Sequence, residues 1–116
     1  IVASAQSKSQ VVLDKEVAVL VQGMLANAVK SGTGWRAQVQ GLTVAGKTGT
    51  THKLLNGAYD ATEHRSSFVG FAPADQPKYL VLVMLDDPKG KWHYGGTSAA
   101  PVFKQVMSLT CLQLSN

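Results

Sequence analysis

The sequence predicts an α+β fold, with an antiparallel sheet of at least three strands packed by an N-terminal and a C-terminal helix. Three observations predict it. Apolar residues recur at helical spacing after Asp14, two strand-like runs then flank a proline-bounded turn, and helical spacing returns near the C-terminus. The chain has 116 residues, 45% of them hydrophobic and 16% charged, a globular balance without repeats or low-complexity linkers. One compact unit with a modest core is expected.

From Asp14, the residues Val17, Leu20, Val21, Met24, Leu25 and Ala28 fall on one stripe of a helix of about four turns. Asp14 is placed to cap it and Gly32 to stop it, with Gly32-Thr33-Gly34 as a flexible exit. The stripe is expected to be core. A first strand follows over about Leu42 to Thr51, and the polar stretch from His52 to Glu63, which holds Gly57 and shows no period, reads as a mobile loop. Ser66 to Ala72 and Lys78 to Leu85 read as an antiparallel pair joined by Pro73-Ala74-Asp75-Gln76-Pro77. The second of them is nearly all apolar, which predicts a central strand covered on both faces. After a loop over Asp86 to Gly96, Thr97 or Ser98 opens the last helix, with Pro101 in its first turn and Val102, Phe103, Val106, Met107 and Thr110 as its buried stripe.

Chemistry concentrates in Gly46-Lys47-Thr48-Gly49-Thr50. On a strand, alternate side chains face opposite ways, so Thr48 and Thr50 share a face while the glycines admit another molecule to the backbone. Lys47 adds positive charge. The bland alternative is an edge strand guarded by a lysine against aggregation. Residues Gly41 to Thr48 also match the phosphate-loop pattern G-x-x-x-x-G-K-[ST]. That motif needs a buried strand before its first glycine and a helix starting at its lysine. Neither is expected, because Trp35 to Gln40 alternates in polarity and Gly49 with further threonines follows Lys47.

Other signals are weaker. The net charge of +4 comes from dispersed residues, so no nucleic-acid partner is assigned. His52, His64 and His93 fit no compact ligand spacing, and no metal or cofactor is assigned. Arg65 with Glu63 reads as a solvated pair beside the strand start. Trp92, His93 and Tyr94 could form an apolar wall for ligands or a plain loop anchor into the core. The sole cysteine, Cys111, excludes an internal disulfide and reads as a packed thiol. The longest apolar run, Leu80 to Leu85, is too short to span a bilayer, and a start at Ile1-Val2 fits a fragment of something longer.

Taken in order, several blocks carry a resemblance. They are Ser31-Gly32-Thr33-Gly34 with Ala37, Val44 to Thr50, Ser67 to Asp75, Tyr94-Gly95-Gly96, and Ala99-Ala100-Pro101-Val102-Phe103. From about Val12 to Met107 the chain resembles the C-terminal part of the transpeptidase domain of class B penicillin-binding proteins, especially the septal division type. The resemblance implies part of a serine β-lactamase/transpeptidase-like fold. It also implies acyl transfer on peptidoglycan stem peptides by an active-site serine, which β-lactam antibiotics acylate as substrate mimics. Of the family's motifs S-x-x-K, S-x-N and K-T-G, only the third is in this chain. The resemblance therefore implies that residues 1–116 are an incomplete C-terminal segment, inactive alone, with the nucleophile and its base upstream.

Residue by residue, it implies catalytic roles for Lys47 and Thr50 and substrate binding by Thr48, Gly49 and Thr50. Lys47 supplies positive potential for a substrate carboxylate and hydrogen-bonds the serine of the missing second motif. The hydroxyls of Thr48 and Thr50 donate to that carboxylate, and Gly49 stays small beneath the ligand. The N–H of Thr50 resembles an oxyanion-hole donor. Implied partners are stem peptides, β-lactams, the upstream part of the same protein and membrane proteins of a division complex. The implied location is the periplasmic side of the bacterial inner membrane, with an anchor upstream. A serine β-lactamase or penicillin-sensor domain is the alternative, against which the blocks after Phe68 argue. A phosphate-loop nucleotide binder is the more remote one.

Overall fold

The computed structural model describes residues 7–90 and 93–114. Helix α1 spans Lys15–Ser31, a single 3₁₀ turn covers Trp35–Ala37, strands β1, β2 and β3 span Ala45–Leu55, Ala58–Ala72 and Tyr79–Asp86, and helix α2 spans Ala99–Leu114. The strands form one antiparallel sheet in the order β1-β2-β3. The α+β class, the two helices and the three strands are as the sequence predicts.

Asp14 stands at the N-cap of α1, yet its side chain makes no capping bond; its carbonyl accepts from Ala18 N instead. At the other end Gly32 is the C-cap, and the N–H groups of Gly32 and Gly34 both donate to the Ala28 carbonyl. The exit is thus fixed by hydrogen bonds rather than flexible. The short turn at Trp35–Ala37 was not expected from the sequence.

Strand β1 starts later than expected because Thr43 is engaged elsewhere. Its carbonyl and its hydroxyl both accept from Ala74 N, at 3.0 and 3.1 Å, tying it to the turn after β2. The larger correction lies at the other end. The supposed loop over His52 to Glu63 is the distal half of a β-hairpin, with β1 running to Leu55 and β2 starting at Ala58. Asn56 and Gly57 make the two-residue turn with φ of 51° and 80°. Asn-Gly suits such a turn because both central residues need positive φ. A register shift at His52/Lys53 marks an irregularity in this hairpin, and polar residues line both of its exposed faces, which hides the period of two.

One face of the sheet carries the core. Phe68 and Ala72 of β2 are buried there with Ala99, Ala100, Phe103 and Met107 of α2, and Val29 at the end of α1 and Ala37 close the cluster. The Phe68 and Phe103 rings meet at 4.8 Å in a tilted arrangement. Val81, Val83 and Leu85 of β3 and Cys111 of α2 pack against this cluster. Helix α2 therefore buries the residues at spacing 99, 103 and 107; Val102 and Val106 are exposed, contrary to expectation. Thr97 and Ser98 precede α2, but both hydroxyls bond back to the Tyr94 carbonyl.

The opposite face is uncovered among the described residues. Leu80, Leu82 and Met84 of β3 are 72%, 61% and 55% exposed, beside exposed Val69 of β2. Strand β3 is thus an edge strand with one bare face, and β2 is the central strand, reversing the expectation. The apolar stripe of α1 is likewise bare, with Leu20 at 64% and Met24 at 68% exposure, so it is not core here. Sequence apolarity reports what a strand or helix can bury, and nothing among the described residues covers those surfaces.

Candidate active-site strand

Lys47, Thr48, Gly49 and Thr50 lie in the first half of β1, paired with Val69, Phe68, Ser67 and Ser66. Because β1 is an edge strand, its outer side offers backbone groups without a strand partner among the described residues. The alternation holds. Thr48 and Thr50 fall on one side of the strand, and Lys47 and Gly49 on the other.

Each hydroxyl is held by a different element. Thr48 Oγ1 lies 3.0 Å from Thr33 Oγ1, which comes from the exit of α1. Thr50 Oγ1 accepts a 3.0 Å bond from Gly95 N, in the loop before α2. Lys47 curls back, its Nζ donating to the Thr48 carbonyl at 3.0 Å and to Thr48 Oγ1 at 3.3 Å. An ammonium, two hydroxyls and an open strand edge are thus gathered at one place, a set that can bind a carboxylate by charge-assisted hydrogen bonds.

Glycines make this convergence close. A Cβ on Gly49 would sit 2.6 Å from Ser67 Oγ, so a side chain there would turn the Ser67 hydroxyl out of its place. A Cβ on Gly95 would meet the Gly49 carbonyl at 2.6 Å, and one on Gly96 would meet the Thr33 carbonyl at 2.5 Å. The Gly95-Gly96 pair therefore packs backbone to backbone against the strand and the α1 exit. Thr33, Ser67 and Gly95 were not picked out as functional residues from the sequence; only the block matches mark them. The phosphate-loop geometry is absent, since Lys47 lies within a strand and the next helix among the described residues begins at Ala99.

Further along the sheet, ion pairs differ from expectation. Arg65 pairs with Asp86 at 3.3 Å rather than with Glu63, and Lys53 bridges Glu63 at 3.4 Å and Asp86 at 3.0 Å. The Lys53 hydrogen bond, aided by Arg65, holds the Asp86 carboxyl below its ordinary range, and Asp86 in turn raises Lys53. Lys89 likewise lowers Asp87. His52, His64 and His93 form a column, with ring centroids 4.7 and 4.4 Å apart, and Tyr94 follows at 4.3 Å from His93. Tyr94 is exposed, so it does not anchor the loop in the core, and Trp92 lies outside the described residues. A hollow lined by Ala26, Val29, Gln38, Val39, Leu42 and Val44 opens behind α1. It includes no residue of the Lys47 to Thr50 run and is a packing gap rather than part of this site.

Comparison with known proteins gives a consistent result. The family model described as penicillin binding protein transpeptidase domain matches residues 2–108. Stage V sporulation protein D of Bacillus subtilis is 44% identical over 96 residues, covering 83% of this chain and 15% of that protein. The probable peptidoglycan D,D-transpeptidase PenA of Neisseria flavescens is 41% identical over 102 residues, covering 87% of this chain and 26% of that protein. Among solved structures, the transpeptidase domain of Burkholderia pseudomallei penicillin-binding protein 3 superposes with a TM-score of 0.77 at 38% identity, over 85% of this chain and 30% of that one. Penicillin-binding protein 3 of Mycobacterium tuberculosis in complex with ampicillin gives 0.74 at 33% identity, over 86% and 24%. The chain spans roughly a quarter or less of the length of these curated relatives.

Proposed function

The chain belongs to the penicillin binding protein transpeptidase domain family, and from that membership we propose that it supplies the Lys-Thr-Gly strand to the active site of a peptidoglycan D,D-transpeptidase. The observation that carries the proposal is the convergence of Lys47, Thr48 and Thr50 on one open strand edge, with each hydroxyl held by a separate element. In this reading the stem peptide lies along the outer edge of β1. Its terminal carboxylate accepts hydrogen bonds from the hydroxyls of Thr48 and Thr50 and lies in the field of Lys47. The carbonyl under attack lies against the N–H of Thr50, which stabilises the oxyanion of the tetrahedral intermediate.

The remaining chemistry is assigned to a segment outside this sequence. A serine hydroxyl attacks the carbonyl, its proton passes to a general base, and the leaving amine is protonated as the acyl-serine forms; a second amine then takes the acyl group. No serine here has a lysine three places on or an asparagine two places on, so this chain is read as the substrate-clamping, C-terminal part of the domain. The bare faces of α1 and β3 support that reading. They are the surfaces on which the rest of the domain would rest, and the Burkholderia domain has ample chain for it, since this one matches 30% of it. The relatives' names further support cell-wall synthesis, and we extend this to a septal role on the periplasmic side of the inner membrane. Among the described residues no helix is long and apolar enough to cross a membrane.

The test is covalent labelling with a fluorescent penicillin, of this chain alone and joined to its upstream segment, with the adduct located by mass. The proposal expects an adduct on an upstream serine and none on this chain. An adduct on residues 1–116, or none on the joined protein, would overturn it.

A further inference from the structure

Thr33 sits where α1 ends, and its backbone is fixed on both sides by the N–H groups of Gly32 and Gly34, each donating to the Ala28 carbonyl at 3.1 Å. From this anchored position its hydroxyl reaches Thr48 Oγ1 at 3.0 Å. Its own carbonyl is covered by Gly96, where a Cβ would lie 2.5 Å away. One residue thus touches the strand through its side chain and the loop before α2 through its backbone.

Either hydroxyl can donate in the Thr33 to Thr48 bond, and the two directions leave Thr48 with different capacities. A hydroxyl has one proton to give and room to accept two. Thr48 Oγ1 already accepts from Lys47 Nζ at 3.3 Å. If Thr48 donated to Thr33, its only proton would be spent, and a carboxylate arriving at the strand edge would meet lone pairs. If Thr33 donates, both acceptor positions of Thr48 are filled, and its proton is left pointing outward for the carboxylate.

We propose that Thr33 is a positioning residue which, by donating to Thr48 Oγ1, sets the Thr48 hydroxyl as a donor to the carboxylate of the substrate. The inference rests on the transpeptidase reading above and adds to it a residue outside the Lys-Thr-Gly strand. It requires a hydroxyl at position 33, not a bulky β-branched side chain. Serine therefore satisfies it, and valine, similar in shape to threonine, does not.

The experiment compares acylation rates of the full-length protein by one β-lactam as its free acid and as its methyl ester, which lacks the carboxylate charge. In Thr33→Val the free-acid rate is expected to fall about 3- to 10-fold, the worth of one neutral hydrogen bond, while the ester rate holds. Thr33→Ser is expected to keep the wild-type free-acid rate. An unchanged free-acid rate in Thr33→Val overturns the proposal, as does an equal fall with both compounds, which would make Thr33 merely structural. If Thr33→Val does not fold, judged by its thermal unfolding, the same comparison is read on Thr33→Ala with the same criteria. Wild-type protein acylated by neither compound overturns the transpeptidase reading itself, a result distinct from failure of the Thr33 role.

Discussion

The amide of Gly95 donates to the hydroxyl of Thr50 at 3.0 Å, joining positions 45 residues apart in the chain. Gly95 is buried, and its neighbours in the Gly49 backbone leave no room for a side chain. The bond therefore fixes the loop before α2 against the middle of β1. It also occupies Thr50 Oγ1 as an acceptor, which leaves the Thr50 proton for a ligand.

Removing that acceptor should cost stability as well as binding. Thr50→Val leaves a buried N–H without a partner, and a loss of about 1–3 kcal/mol is expected in denaturant unfolding of the complete domain. Thr50→Ser should stay near wild type. Equal stability of the valine and serine variants would show that the Gly95 amide finds another partner.

Lys47 tests the chemistry rather than the fold. Its ammonium bonds the Thr48 carbonyl and hydroxyl on an exposed part of the strand, so Lys47→Ala should leave the unfolding midpoint close to wild type. Penicillin acylation of the complete protein should fall by about 10²-fold or more, the scale of a lost proton-transfer partner. Normal labelling of a folded Lys47→Ala protein would refute the role given to this lysine.

The fold class and its helices and strands were legible in the sequence because α1, β3 and α2 have strong periodicity or continuous apolar runs. What escaped was the distal hairpin. The Asn56-Gly57 pair was there to be read, but the polar residues on both sides, exposed on both faces, mask the alternation that marks a strand. The burial of α1 and β3 was misjudged for another reason: their apolarity anticipates partners that residues 7–90 and 93–114 do not supply. At the site, the strand residues could be found from their motif. Thr33 and Gly95 could not, since their roles arise from contacts across 15 and 45 residues of chain.

The tightness behind the strand gives a packing prediction. A Cβ on Gly46 would lie 2.6 Å from both Phe68 Cζ and the Val69 carbonyl. The first is part of a buried ring and the second is backbone, so neither can yield without moving the sheet. Gly46→Ala is expected to destabilise by about 1–3 kcal/mol, the range of overpacked cores. A melting temperature equal to wild type would mean that Phe68 has room to shift.

Acid stability should depend on Asp86. The hydrogen bond from Lys53, then that from Arg65, holds its carboxyl below the ordinary value of 3.8. A folded pKa below the unfolded one means that the unfolded chain binds the proton first. The stabilisation is thus present above 3.8 and is lost as pH falls through the lower folded value. Asp86→Asn should remove that part of the acid limb in a plot of unfolding midpoint against pH. A variant whose acid limb matches wild type would show that the exposed ion pairs contribute nothing measurable.

The bare side of the sheet predicts how this chain behaves without a partner. Leu80, Leu82 and Met84 line up on one face of β3, Val69 extends the patch onto β2, and among the described residues the outer edge of β3 has no strand beside it. An unpaired edge next to an exposed apolar face favours strand-to-strand association. The isolated chain is therefore expected to run above monomer mass in light scattering, with the larger species growing as concentration rises. Leu82→Lys with Met84→Lys should return it to a monomer by placing charge on the patch. In the complete protein the same pair should lower stability, because there the lysines would be forced under the covering segment. A wild-type chain that is monodisperse and monomeric at high concentration would contradict the uncovered-face picture. So would a complete protein indifferent to both lysines.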